Sequence, residues 1–138
     1  MPVKSPKPKS AMGRFLPALL ITSLALGSCA KPKELPYAKL KYHSNLYTDP
    51  DTSQPFTGIA KDTYKDGKPK AEYPFKNGLI EGTVREWWPN GQKSAETEFQ
   101  KGERVGKNTE WTQTGKLFRE RVYDHDHIAS EKNYDIGK

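Results

Sequence analysis

The sequence predicts an all-β protein: an elongated, single-layer antiparallel meander of tandem 24-residue β-hairpin repeats. Three observations carry that expectation. The chain repeats itself at a fixed step, glycine-containing turn tripeptides recur in phase with that step, and aromatic residues fall opposite bare glycines once the turns set the register. Gly58, Gly82 and Gly106 are 24 apart, as are Gly67, Gly91 and Gly115. Glu72, Glu96 and Glu120 keep the same spacing, and so do Phe75, Phe99 and Tyr123. Gly78 and Gly102 follow it with Asp126 in third place, and Trp87 and Trp111 share a column with Thr63.

Taken in chain order, residues 1–28 form a targeting segment. Lys4, Lys7, Lys9 and Arg14 make a positive n-region, and Phe15 to Gly27 an apolar h-region. Thirteen residues of helix span about 20 Å, short of a hydrocarbon core of about 30 Å, so a cleavable signal is expected rather than a membrane-spanning anchor. Leu26-Gly27-Ser28-Cys29 resembles the lipobox of bacterial lipoproteins, whose cysteine takes a diacylglyceryl group. The resemblance implies acyl chains on Cys29 and a membrane held through that N-terminal lipid. Ala30 rather than Asp follows, which by resemblance to the enterobacterial sorting rule favours the outer over the inner membrane. Cys29 is the only cysteine, so no internal disulfide can form.

The chain carries a net charge of +6, but four basic side chains and no acidic ones belong to the signal. Removing those four leaves 19 basic against 17 acidic, so the basicity gives no ground for nucleic-acid binding and none is expected. Residues 29–47 are rich in Lys and Pro and read as a tether. The repeat domain is assigned to 48–138, with copies near 55–78, 79–102 and 103–126. A degenerate cap at 127–138 has Ser130 in a glycine position.

Within each copy, Lys65-Asp66-Gly67, Pro89-Asn90-Gly91 and Gln113-Thr114-Gly115 hold the same place. Asp-Gly and Asn-Gly favour a two-residue hairpin turn that requires positive φ. Taking Asn90-Gly91 as the turn sets Trp88 opposite Lys93, Arg85 opposite Glu96 and Gly82 opposite Phe99. The same rule puts Gly58 against Phe75, Lys61 against Glu72, Gly106 against Tyr123 and Thr109 against Glu120. A ring thus covers exposed backbone in every copy, and two of three glutamates meet a cation. Lys76-Asn77-Gly78 and Gln100-Lys101-Gly102 turn the chain into the next copy, giving six strands and a partial seventh.

Copies such as GTVREWWPNGQKSAETEFQKG are similar to the bacterial variant of the MORN repeat, and the likeness runs from about Leu46 to Tyr123. The resemblance implies an open sheet used as a binding or oligomerisation platform. Some bacterial members are labelled antitoxins or immunity proteins.

The residues suggest a surface rather than a catalytic centre. Trp87 and Trp88 are adjacent, so on a strand they point to opposite faces. Trp88 shares its side with Val84 and Phe99, and Trp87 shares the other with Trp111. With Tyr64 they form a candidate binding surface for a protein or glycan partner; a one-layer sheet also needs such rings simply to bury its two sides. His125 and His127 share a face but lack further ligands, so a polar turn is expected there and no metal or other cofactor. His43 sits alone. Gly78-Leu79-Ile80-Glu81-Gly82 lacks the lysine and hydroxyl of a phosphate loop, and no nucleophile elbow occurs, so no enzyme is expected. Arg85, Glu86, Glu96 and Glu98 read as a solvated face. The exposed outer strand leaves self-association through the sheet edge open. The function expected is a cell-envelope lipoprotein whose sheet is a protein-interaction platform. The alternative is an immunity protein that neutralises a secreted toxin outside the inner membrane.

Overall fold

The computed structural model describes residues 31–137; the signal segment, the lipobox and Cys29 lie outside the described residues. In chain order the elements are β1 (Glu34–Pro36), a 3-10 turn (Tyr37–Lys39), β2 (Lys41–His43), β3 (Leu46–Thr48), β4 (Gly58–Thr63), β5 (Pro69–Lys76) and β6 (Leu79–Ile80). They continue with β7 (Gly82–Trp87), β8 (Lys93–Gln100), β9 (Glu103–Trp111), β10 (Leu117–Asp124) and β11 (His127–Asn133). The main sheet has the order β1-β4-β5-β7-β8-β9-β10-β11, with β6 paired to β5, and β2 and β3 form a separate hairpin. From β4 onward the sheet is the antiparallel meander that the repeat pattern predicts.

The predicted registers hold through the strand bodies. Gly58 pairs with Phe75, Gly82 with Phe99 and Gly106 with Tyr123. Lys61 pairs with Glu72, Arg85 with Glu96 and Thr109 with Glu120.

The turns themselves differ from the expectation. Trp88 N–H donates to the Gln92 carbonyl and Gly91 N–H to the Trp88 carbonyl, both at 2.8 Å, so the loop is Pro89-Asn90-Gly91. The same two bonds recur at Tyr64–Lys68 and Thr112–Lys116. Only the glycine has positive φ, +86° at Gly91, which makes each loop a three-residue turn ending in a left-handed residue. Proline fits the second position of such a turn because its φ is already set. The extra loop residue is cancelled within the next strand. Thr63 pairs with Pro69 but Asp62 with Ala71, so Lys70 is bulged. Ser94 and Phe118 are skipped in the same way, one repeat and two repeats later. Trp87, not Trp88, therefore faces Lys93. Two-residue turns with both φ positive do occur, but between copies: Asn77-Gly78, Lys101-Gly102 and His125-Asp126. The last of these starts β11, a full seven-residue strand paired along β10 rather than a partial one.

The stretch read as a tether is folded from Glu34 onward. β1 lies parallel to β4, with Ile59 N–H donating to the Lys33 carbonyl at 2.8 Å. Gly58, at φ +151°, permits that approach, because a Cβ there would collide with the same carbonyl. Leu35, Tyr37, Leu40 and Tyr47 pack on a core of Phe56, Ala60 and Phe75, of which Phe56 is 1% exposed. The physical reason is that one sheet cannot shield its own apolar face. Burying a large side chain is worth about 1.5–3 kcal/mol, and the N-terminal residues supply the second layer over the first repeat. Further along, the buried positions of that face are Val84, Thr97, Asn108 and, in the last copy, Tyr123.

Candidate functional site

One row of paired residues crosses the sheet on the face that carries Ala60 and Val84. It runs Asp62, Ala71, Glu86, Ala95, Glu110, Arg119, each the register partner of the next. Its acids, Asp62, Glu86 and Glu110, are 24 apart and so occupy equivalent places in three copies. Asp62 accepts from Lys70 at 2.7 Å. Glu110 accepts from Arg119 at 2.6 Å and Arg121 at 3.1 Å. Glu86 makes neither an ion pair nor a side-chain hydrogen bond among the described residues. Crowding against the sheet, and then the charge of Glu110, raise its carboxyl above the ordinary value, with Lys70 opposing.

Glu86, expected with Arg85, Glu96 and Glu98 on one solvated face, is exposed but lies on the other side of the sheet. The register separates it from them. Arg85 pairs with Glu96 and Thr83 with Glu98, while Glu86 pairs with Ala95 on the other side of the pleat. On the Arg85 side the pairing is ionic, with Lys61 and Glu72 4.0 Å apart and Arg85 and Glu96 3.5 Å apart. Glu120, expected opposite only a threonine, takes Lys107 at 2.7 Å from a diagonal position.

Glu86 borders an open depression of about 390 Å³, together with Tyr64, Trp87, Trp88, Asn108 and Glu110. Two of these aromatics are fixed by their polar ends. The Tyr64 hydroxyl donates to the Trp87 carbonyl at 2.7 Å, and the Trp88 indole N–H donates to the Trp111 carbonyl at 3.0 Å. Both bonds link one hairpin turn to the next, as does Asn90 donating to the Gln113 carbonyl at 2.7 Å. Asn108 is 5% exposed. Its amide N–H group donates to the Thr97 hydroxyl at 2.8 Å, and its Oδ1 has no donor among the described residues.

Three of the four candidate aromatics, Tyr64, Trp87 and Trp88, border one depression, but strand parity turns only Tyr64 and Trp88 toward it, while the Trp87 ring lies on the other side with Lys93. Trp111 lines a different one with Gln92, Lys93 and Gly115, where the Lys93 ammonium lies 5.4 Å from the ring centroid. Glu86, Asn108 and Glu110 were not read as a site from the sequence, although the acid column at 62, 86 and 110 is visible there. His125 is the first residue of the turn into β11 and His127 opens that strand, and the Asp124 carboxylate, 2.7 Å away, holds His125 above its ordinary value. Among the described residues no group of three or more His, Cys, Asp or Glu is placed to hold a metal ion.

The family model for the MORN repeat variant matches residues 56–77 and 80–101. No curated protein and no solved structure matches the chain. The matched segments are the first two hairpin copies, and the third, from Glu103 to Asp124, repeats their loop, bulge and register. Such repeats suggest a repeat-based interaction or binding module. Residues 56–101 are a tandem pair of MORN repeat variants laid out as successive hairpins of one sheet.

Proposed function

We propose that the protein is a cell-envelope lipoprotein, anchored through Cys29, whose repeat sheet binds a protein partner and catalyses no reaction. The observation that carries the binding half is the depression bordered by Tyr64 and Trp88. Tryptophan and tyrosine supply large contact area at small entropic cost, which is why they dominate binding energy at interfaces. The anchoring half rests on Leu26-Gly27-Ser28-Cys29 after an apolar run. β1 begins five residues after Cys29, so a lipid there would hold the sheet within about 17 Å of the bilayer surface.

The test is affinity capture from detergent-solubilised envelopes with the wild-type chain, Trp87→Ala, Trp88→Ala and Cys29→Ala. A specific partner should be lost with Trp88→Ala if that variant keeps its β-sheet circular dichroism, while Trp87→Ala, whose ring lies on the other side of the sheet, should retain it. Cys29→Ala should move the protein from the membrane to the soluble fraction. Equal partner recovery in all variants, or equal fractionation of wild type and Cys29→Ala, would overturn the corresponding half.

A further inference from the structure

We propose that the depression beside Glu86 receives a protonated amine, the lysine side chain of a protein partner, with Glu86 as its counter-ion. This rests on the interaction-platform reading and names the chemistry of its contact. The three acids of the column are not treated alike. In the first copy the cation comes from the bulged position, Lys70. In the third it comes from the register partner, Arg119, helped by Arg121. The residues at those two places in the middle copy are Ser94 and Ala95, both small and uncharged, and both line the depression. The space a cationic side chain fills elsewhere in the sheet is here left open above Ala95.

The surroundings suit an ammonium group arriving from outside. Glu86 is an exposed residue whose carboxyl is raised by the sheet it lies against and by the charge of Glu110, so a positive charge beside it is favoured. Asn108 lines the same depression and keeps, beneath its surface, an Oδ1 that lacks a donor. Two acceptors of this kind need N–H donors and no further acceptor, which describes a lysine ammonium. Tyr64 and Trp88 border the same space, where ring faces attract a cation and the aliphatic stem packs against carbon. Lys70 lines the same depression, but Asp62 holds its ammonium at 2.7 Å, so it makes no ion pair with Glu86.

The experiment titrates the full chain in detergent micelles with acetyl-Gly-Lys-Gly-amide and, in parallel, with the norleucine peptide. Tryptophan emission reports binding, since Trp87 and Trp88 border the site. The lysine peptide should saturate and the norleucine peptide should not. Glu86→Gln should weaken the lysine peptide about fivefold or more, corresponding to a partly exposed charge-assisted contact. Glu103→Gln, an exposed acid outside the depression, should leave it unchanged. Equal responses to both peptides, or binding unaffected by Glu86→Gln, would overturn the assignment. Partner capture that survives Glu86→Gln but not Trp88→Ala would overturn the lysine contact while leaving the platform standing. Loss of lysine-peptide binding in Glu86→Gln, with no partner captured by any variant, would uphold the contact and overturn the platform.

Discussion

The Trp88 indole N–H donates to the main-chain carbonyl of Trp111 at 3.0 Å, one repeat further along the turn edge. Tyr64 reaches the Trp87 carbonyl in the same manner at 2.7 Å. Residues 64 and 88 are one column of the repeat, so a single position ties each hairpin to its successor. In the third copy that column holds Thr112, whose hydroxyl pairs with Thr114 inside its own turn at 2.9 Å.

Trp88→Phe keeps an aromatic ring and removes the donor. We expect a loss of about 0.5–1.5 kcal/mol, the net worth of one hydrogen bond, and the same from Tyr64→Phe. Urea denaturation followed by circular dichroism checks both; unchanged midpoints would show that the bonds contribute nothing.

Two glycines separate backbone strain from steric collision. A Cβ at Gly91 meets nothing within 4 Å, so Gly91→Ala should cost only the left-handed conformation, about 1–2 kcal/mol. A Cβ at Gly58 meets the Lys33 main-chain carbonyl as well. Gly58→Ala should therefore cost more and should free the Ile59 amide, which donates to that carbonyl. Hydrogen exchange at Ile59 distinguishes the two variants.

Phe56→Ala empties the best-buried position of the core, and such truncations cost about 3–5 kcal/mol. Leu35→Ser, outside the repeats, should also lower the melting temperature because Leu35 packs on the same cluster. A melting temperature unchanged by Leu35→Ser would mean that the N-terminal layer is not part of the folded unit.

Acid should release one identifiable contact. Arg104 lies 2.7 Å from Asp126 and holds its carboxyl below the usual range. A lowered folded value means that the stabilisation is complete above the ordinary carboxylate pH of about 4 and is lost as pH falls through the lowered value. Asp126→Asn tolerates the local φ of +66° and removes only the charge. The variant should be less stable than wild type at pH 7, and the difference should vanish near pH 2.

Much of the sheet could be read in the sequence because a two-residue error cancelled. Assigning Asn90-Gly91 as a two-residue turn missed one loop residue, and ignoring Ser94 as a bulge missed one strand residue, so Arg85 still met Glu96. The misplacement was confined to the turn edge, where Trp87 and Trp88 exchange roles opposite Lys93. Pro89 ahead of Asn90-Gly91 was the available signal for the longer loop. The N-terminal layer was not legible, because its strands are three residues long and its parallel pairing to β4 joins segments more than twenty residues apart. Leu35, Tyr37, Leu40 and Tyr47 were the apolar trace of it among the lysines. Of the site, the aromatics could be named but not grouped. The acid row needed the pleat parity of every strand before Glu86 could be separated from Arg85.

The pairing of an extra loop residue with an extra strand residue has a consequence for how the array can vary. Each 24-residue unit returns the chain in phase, so inserting or deleting a whole unit would lengthen or shorten the array without exchanging inside for outside. Deleting one paired residue such as Thr97 would not; it would carry the remainder of β8 to the opposite side of the sheet. Copy number is therefore free to drift, while the residue count inside a copy is held fixed.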